Sequence, residues 1–151
     1  MDFIEKDLEQ IIYESDRSDL FERGLALNGK LYRQLRIGNY GTADLISVYK
    51  EYDTYLITVY ELKKNYIGES TFFQALKYAK GIIRYLKKRN AKIKYKIEIV
   101  LIGKGIDLKG NLCYITDILD SIHLYTYSYK ANGILFEYHP YDEYYLKNEG
   151  F

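Results

Sequence analysis

Two acids and a lysine, Asp44, Glu61 and Lys63, form the clearest chemical constellation in this chain. They fall in two strand-like stretches, residues 43–49 and 55–63, joined by a polar connection over 50–54. Directly opposed residues of an antiparallel hairpin have position numbers of constant sum. In the register that keeps the faces distinct, Asp44 faces Glu61, Ile46 faces Val59 and Val48 faces Ile57. One face is then aliphatic and ends in a carboxylate pair. The other pairs Leu45 with Tyr60 and Ser47 with Thr58, and a one-residue slip would mix the two. Lys63, two residues beyond Glu61, projects from the same face as the acids. Two carboxylates and waters suit Mg²⁺ better than zinc, because Mg²⁺ prefers oxygen ligands. A cation there would polarise a phosphodiester and acidify an attacking water, with Lys63 orienting that water or steadying the developing charge. A Glu-x-Lys taken alone is an ordinary solvated pair at a strand end. The facing Asp44, at the wet end of an apolar face, sets this one apart.

The surrounding elements have to hold these groups. Residues 2–15 read as a helix, with Ile4, Leu8, Ile11 and Ile12 on one face and Asp2 and Glu5 at capping-box spacing. A short helix is expected over 18–26, closing near Asn28-Gly29. A strand over 31–38 then precedes the turn signal Gly38-Asn39-Tyr40-Gly41. After the hairpin, Ser70 is placed to N-cap a long helix through 72–89. Its apolar stripe reads Phe72, Leu76, Ala79, Ile83 and Leu86, with Gln74, Tyr78 and Gly81 alongside. Lys77, Lys80, Arg84, Lys87 and Lys88 form a basic stripe. Residues 95–102 are apolar enough to be a central strand. A helix over 111–121 and a hairpin of 123–129 with 134–139, around Asn132-Gly133, complete the pattern. The alternation predicts one α/β sandwich, a single domain over 1–151.

Composition excludes several classes. The chain of 151 residues has 22 basic and 21 acidic side chains, which argues against a histone-like tail or a polyacidic disordered segment. A single cysteine, Cys113, excludes a disulfide framework and a cysteine-cluster metal site; among Leu112, Ile115 and Ile118 it reads as a core thiol. His123 and His139 are too few and too far apart for a histidine-rich zinc site, and nothing points to catalysis by either. Acids stand at the N-terminus where a signal peptide needs basic and then apolar residues. No apolar run approaches the roughly 18 residues of a membrane span. A cytoplasmic protein with no membrane partner is expected. The near-zero total charge is a sum of unlike segments. Residues 77–104 hold ten basic residues and one acid, Glu98, whereas 1–76 hold nine and thirteen, and 105–151 three and seven. A basic helix face suits a phosphate backbone. Tyr85 and Tyr95 interleave with these cations and are placed either to stack on unpaired bases or to pack.

At three places the chain resembles the PD-(D/E)xK nuclease superfamily. These are Gly41-Thr42-Ala43-Asp44, Val59-Tyr60-Glu61-Leu62-Lys63-Lys64 and Gln74-Ala75-Leu76-Lys77-Tyr78. The Gln74–Tyr78 pair is similar to the variant of RecB-like nucleases. Glu5-Lys6-Asp7-Leu8-Glu9, Leu20-Phe21-Glu22-Arg23-Gly24-Leu25 and Arg33-Gln34 resemble the catalytic domain of NucS-type DNA endonucleases. Ala43 stands where the superfamily name has proline, and Thr42 where NucS-type relatives usually carry arginine. The resemblance implies a restriction-endonuclease-like α/β sandwich with a central mixed sheet flanked by helices. It implies Asp44, Glu61 and the Leu62 carbonyl as ligands of Mg²⁺ (Mn²⁺ as substitute), with Lys63 as catalytic lysine. Gln74 and Tyr78 would buttress the site or touch substrate phosphate. Glu5 or Glu9 would be a first-helix acid aimed at the metal, though capping and the helix dipole also account for Glu5.

The function expected is hydrolysis of DNA phosphodiesters by a metal-dependent endonuclease or exonuclease. Arg33, Lys77, Lys80, Arg84, Lys87 and Lys88 are the expected nucleic-acid contacts, with an internal ion pair as the other role for Arg33. The alternative is a non-catalytic nuclease-fold module that binds nucleic acid or a partner protein. The tyrosine-rich segment 138–151 reads as a docking segment or part of a homodimer interface.

Overall fold

The computed structural model describes residues 5–107, 109–116 and 119–140. The readings on Asp2, Ile4, Ile118, the Cys113 side chain and the C-terminal segment beyond residue 140 lie outside the described residues and side chains. Two helices, α1 (Glu5–Glu14) and α2 (Arg17–Glu22), lead into strand β1 (Lys30–Arg36) and a 3₁₀ turn at Gly38–Tyr40. Next come β2 (Thr42–Glu51), β3 (Thr54–Leu62), the short β4 (Tyr66–Ile67) and the long helix α3 (Glu69–Arg89). Then follow β5 (Lys94–Gly103), β6 (Gly105–Ile106), α4 (Leu112–Thr116), β7 (Ile122–Lys130) and β8 (Gly133–His139). One six-stranded sheet runs in the order β1-β2-β3-β5-β7-β8, and β4 pairs with β6 beside it. The outer pairs are antiparallel, while β3, β5 and β7 are mutually parallel. The result is a central mixed sheet flanked by helices, in keeping with the expected α/β sandwich.

Each face of the sheet carries its own core. Ile46, Ile57, Val59, Ile99 and Leu101 pack under α3 through Phe72, Ala75, Ala79 and Ile82. On the opposite face Leu45, Tyr60, Leu62, Val100 and Ile102 pack against Leu8 and Ile12 of α1 and Leu20 of α2. The β2–β3 register is the expected one, from Leu45 opposite Tyr60 to Glu51 opposite Thr54. Its turn puts Tyr52 at φ 56°, in the left-handed region that glycine enters far more easily. Tyr52 is 94% exposed and so has almost no packing to lose. Tyr52→Gly should therefore raise stability by about 0.5–1 kcal/mol, read as a melting temperature about 2–3 °C higher.

Four expectations need correction. The helix expected over 18–26 stops at Glu22, because the chain turns to meet β8. The Phe136 amide donates to the Arg23 carbonyl, and Gly24, at φ 102°, sits where a Cβ would strike the Phe136 carbonyl. Ser70 does not cap α3; Gly68 does, donating its N–H to Thr71 Oγ1 at 3.3 Å. The buried stripe of α3 runs through Phe72, Ala75, Tyr78, Ala79, Gly81 and Ile82, so Leu76 is exposed and Ile83 only half-buried. Gly81 explains the rotation, since a Cβ there would lie 2.6 Å from Ile37 and 2.8 Å from the Tyr40 ring. The helix expected over 111–121 is observed only as Leu112–Thr116. By Ser121 the chain has joined the sheet, its carbonyl accepting the Ile99 N–H at 2.9 Å. Among the described residues no helix is long and apolar enough to cross a membrane.

Candidate active site

The β2–β3 ladder ends at Leu45 opposite Tyr60, one position before the two acids. Beyond it the Leu62 N–H has a side-chain acceptor, donating to Asp44 Oδ2 at 3.0 Å. A strand residue presents its N–H and C=O toward the same neighbouring strand, so the Leu62 carbonyl faces this opening too. On its other edge β3 stays locked to β5 as far as Leu62 opposite Ile102, and Lys63 N–H donates to the Ile102 carbonyl at 2.8 Å. The strands thus part where the acids stand, while parallel pairing holds β3 rigid.

Glu61 is only 3% exposed, and with both acids ionised its Oε2 is buried with no hydrogen-bond donor among the described residues. Burial, then the neighbouring charge of Asp44, pushes the Glu61 carboxyl up to about 9, against the opposing charge of Lys63. Asp44 is raised as well, first by burial, with the Leu62 N–H opposing and the Glu9 charge adding. The two carboxyls are close enough to share a proton. The segment after Lys63 is pinned from two sides. Lys64 N–H reaches Glu5 Oε1 at 3.4 Å, and its carbonyl accepts the Tyr127 hydroxyl at 2.7 Å.

Helix α3 packs over the sheet face on which Asp44 and Glu61 stand. Gln74 Nε2 donates to the Tyr78 hydroxyl at 2.7 Å, leaving the phenolic hydrogen to be donated elsewhere. Tyr78 feels both acids: its hydroxyl is raised by burial first, and then by the charges of Glu61 and Asp44. Gly41, at φ 112°, allows that approach, because a Cβ there would lie 3.0 Å from the Tyr78 ring. From α1, buried Glu9 accepts from Gln34 Nε2 at 2.7 Å and pairs with Arg33 Nε at 3.5 Å. Glu5, Lys6, Glu9, Arg33, Gln34 and Asp44 line one open cleft of about 510 Å³.

These groups suit a hard dication. A buried, unpartnered carboxylate oxygen, a second carboxylate beside it and a backbone carbonyl facing the same gap make an all-oxygen donor set. Among the described residues no three Asp, Glu, His or Cys side chains form a ready-made cation cage. That is compatible with Mg²⁺, which usually takes one or two carboxylates and keeps several waters.

The structure therefore brings together Asp44, Glu61, Lys63, Gln74 and Tyr78, with Glu5 at the rim and Glu9 in the wall. Arg33 takes the ion-pair role, held by Glu9 and stacked over Tyr13 at 5.5 Å. Lys77, Lys80, Arg84, Lys87 and Lys88 are all exposed on α3, although Arg84 donates to the Tyr40 hydroxyl at 2.6 Å. His123 pairs with Glu98 and His139 with Thr126. Sequence spacing gives Gln34 and Tyr127 no role in the site. Their bonds to Glu9 and to the Lys64 carbonyl span 25 and 63 positions, so no local pattern announces them. Comparison with protein-family models, curated proteins and solved structures finds no match to this chain.

Proposed function

We propose that the chain is a Mg²⁺-dependent DNA nuclease of the PD-(D/E)xK type, with Mn²⁺ as a substitute. The observation that carries this reading is the buried Glu61 oxygen left without a donor beside a second carboxylate. Such a pair destabilises an empty fold, and a dication offsets it. Asp44, Glu61 and the Leu62 carbonyl would hold the cation, with Glu9 facing the same cleft. When bound, it supplies Lewis acidity and a water of lowered pKa. Lys63 stands beside Glu61, where its ammonium orients the attacking water or offsets charge gathering on the phosphate. Tyr78, its oxygen already accepting from Gln74, can donate its hydrogen to a phosphate oxygen at the same gap. Water attacks phosphorus in line with the leaving oxygen; the P–O bond breaks, and the water's proton ends on the leaving group or in solvent.

Single-stranded, double-stranded and branched DNA, each with Mg²⁺, Mn²⁺ or EDTA, form the direct assay. Cation-dependent cleavage of any one of them supports the reading. Binding without cleavage on all three would assign the chain to the non-catalytic alternative. The basic face of α3 has its own readout. Replacing Lys80, Lys87 and Lys88 together by Glu should weaken DNA binding and flatten the dependence of log K on log salt by about 2–3 units. Fluorescence anisotropy across a salt series in EDTA measures both.

A further inference from the structure

Among the described residues two non-glycines have positive φ, Gln34 at 50° and Tyr52 at 56°. Tyr52 turns a hairpin, whereas Gln34 lies within strand β1 and turns nothing. Pairing of β1 with β2 runs from Lys30 opposite Val48 to Arg33 opposite Leu45 and resumes at Leu35 opposite Ala43. The interrupted position sets Gln34 across from Asp44. A strained backbone at one point of an otherwise regular ladder persists only where its surroundings enforce it, and such points cluster at functional sites. What this one delivers is the amide: Gln34 Nε2 donates to Glu9 Oε1 at 2.7 Å, and Arg33 Nε approaches the same oxygen at 3.5 Å.

We infer that Gln34 is a positioning residue, whose left-handed backbone carries its amide to Glu9 and fixes that carboxylate in the cleft wall beside Asp44, so that the site binds its divalent cation more tightly. The inference rests on the nuclease reading and extends it to a residue with no direct contact to the cation. A role confined to stability fits the observations poorly. The arrangement combines a strained backbone with an acid 3% exposed, lining the same cleft as Asp44. A fold selected for stability alone would replace the acid and relax the strand. A dication reverses the balance, because the clustered negative charge then favours binding.

Calorimetric titration of the full chain with Mn²⁺ tests this, using Gln34→Ala, Gln34→Gly, Glu9→Gln and Asp44→Asn. Both Gln34 variants should bind Mn²⁺ about tenfold more weakly. Gln34→Gly should nevertheless melt about 3–5 °C above Gln34→Ala, because it loses the same amide and relieves the backbone. Combining Gln34→Ala with Glu9→Gln should weaken binding no further than Glu9→Gln alone. Mn²⁺ affinity that follows melting temperature, or that is unchanged in both Gln34 variants while Asp44→Asn abolishes binding, overturns the positioning role and leaves the nuclease reading intact. If the parent protein fails to bind Mn²⁺, both fall together.

Discussion

Glu61→Gln is expected to leave a folded protein, more stable than its parent near neutral pH, that cleaves DNA about a thousandfold more slowly. The two effects have one cause. The carboxyl that would hold the cation is buried and titrates near 9 in the fold, so near neutral pH folding must take up a proton to keep it neutral. An amide keeps the shape, is neutral without taking up a proton and can donate to Asp44, so the fold gains what the site loses. Loss of a ligand that stabilises developing charge is worth about 10²–10³ or more in rate. Lys63→Ala should cut the rate by about 10²–10⁴ for two reasons acting in the same direction. It removes the group beside the attacking water, and it removes the charge that opposes protonation of Glu61. Single-turnover cleavage on the best substrate, with circular dichroism as a control for folding, measures both. Unchanged rates in both variants would sink the site assignment.

The second large effect concerns stability against pH in the absence of divalent cations. The Glu61 carboxyl titrates near 9 in the fold against an ordinary value of 4.5, so between these values the folded state binds the extra proton. The stability it contributes is complete below about pH 4.5 and is lost as pH rises toward 9. From pH 5.5 to 8 the difference due to Glu61 is about 3 kcal/mol. Urea unfolding in EDTA should therefore show the protein weaker at pH 8 than at pH 5.5, opposite to the usual loss of stability in acid. Glu61→Gln should remove most of that slope. A parent protein equally stable at both values would mean that Glu61 is not held as a neutral acid.

The hairpin was legible because alternation with two unlike faces tolerates one register. Ile46, Val48, Ile57 and Val59 could share a face only with Asp44 and Glu61 at its end. The Gln74–Tyr78 contact followed from helical spacing alone. Less accessible were features set by distant contacts. The seating of α3 depends on Gly81 meeting Ile37 and Tyr40, which rotates the buried stripe to Ala75 and Ile82 and turns Leu76 outward. The gap at Asp44 arises because its side chain takes the Leu62 N–H beyond the last ladder pair, and strand patterning carries no mark of that substitution. The left-handed Gln34 is likewise invisible to propensity, which would place glycine or asparagine there. The tyrosines divide in the same way. Tyr60, Tyr78 and Tyr127 are buried with polar partners, while Tyr52, Tyr66 and Tyr85 stand in solvent.

The two cores on opposite faces of the sheet have a consequence for how the site comes apart. Glu5 and Glu9 arrive on α1, docked through Leu8 and Ile12, and Tyr78 arrives on α3, docked through Phe72, Ala75 and Ala79. Both converge on Asp44 and Glu61, where β2 and β3 part, so the site draws on two separately packed layers. Helix α1 has ten residues and few apolar anchors, and such elements open by local fluctuation well below the global unfolding energy. Amide hydrogens of α1 should then exchange sooner than those of β3 and β5. On heating, the DNA cleavage proposed for this site would vanish while the sheet still gives its full spectroscopic signal.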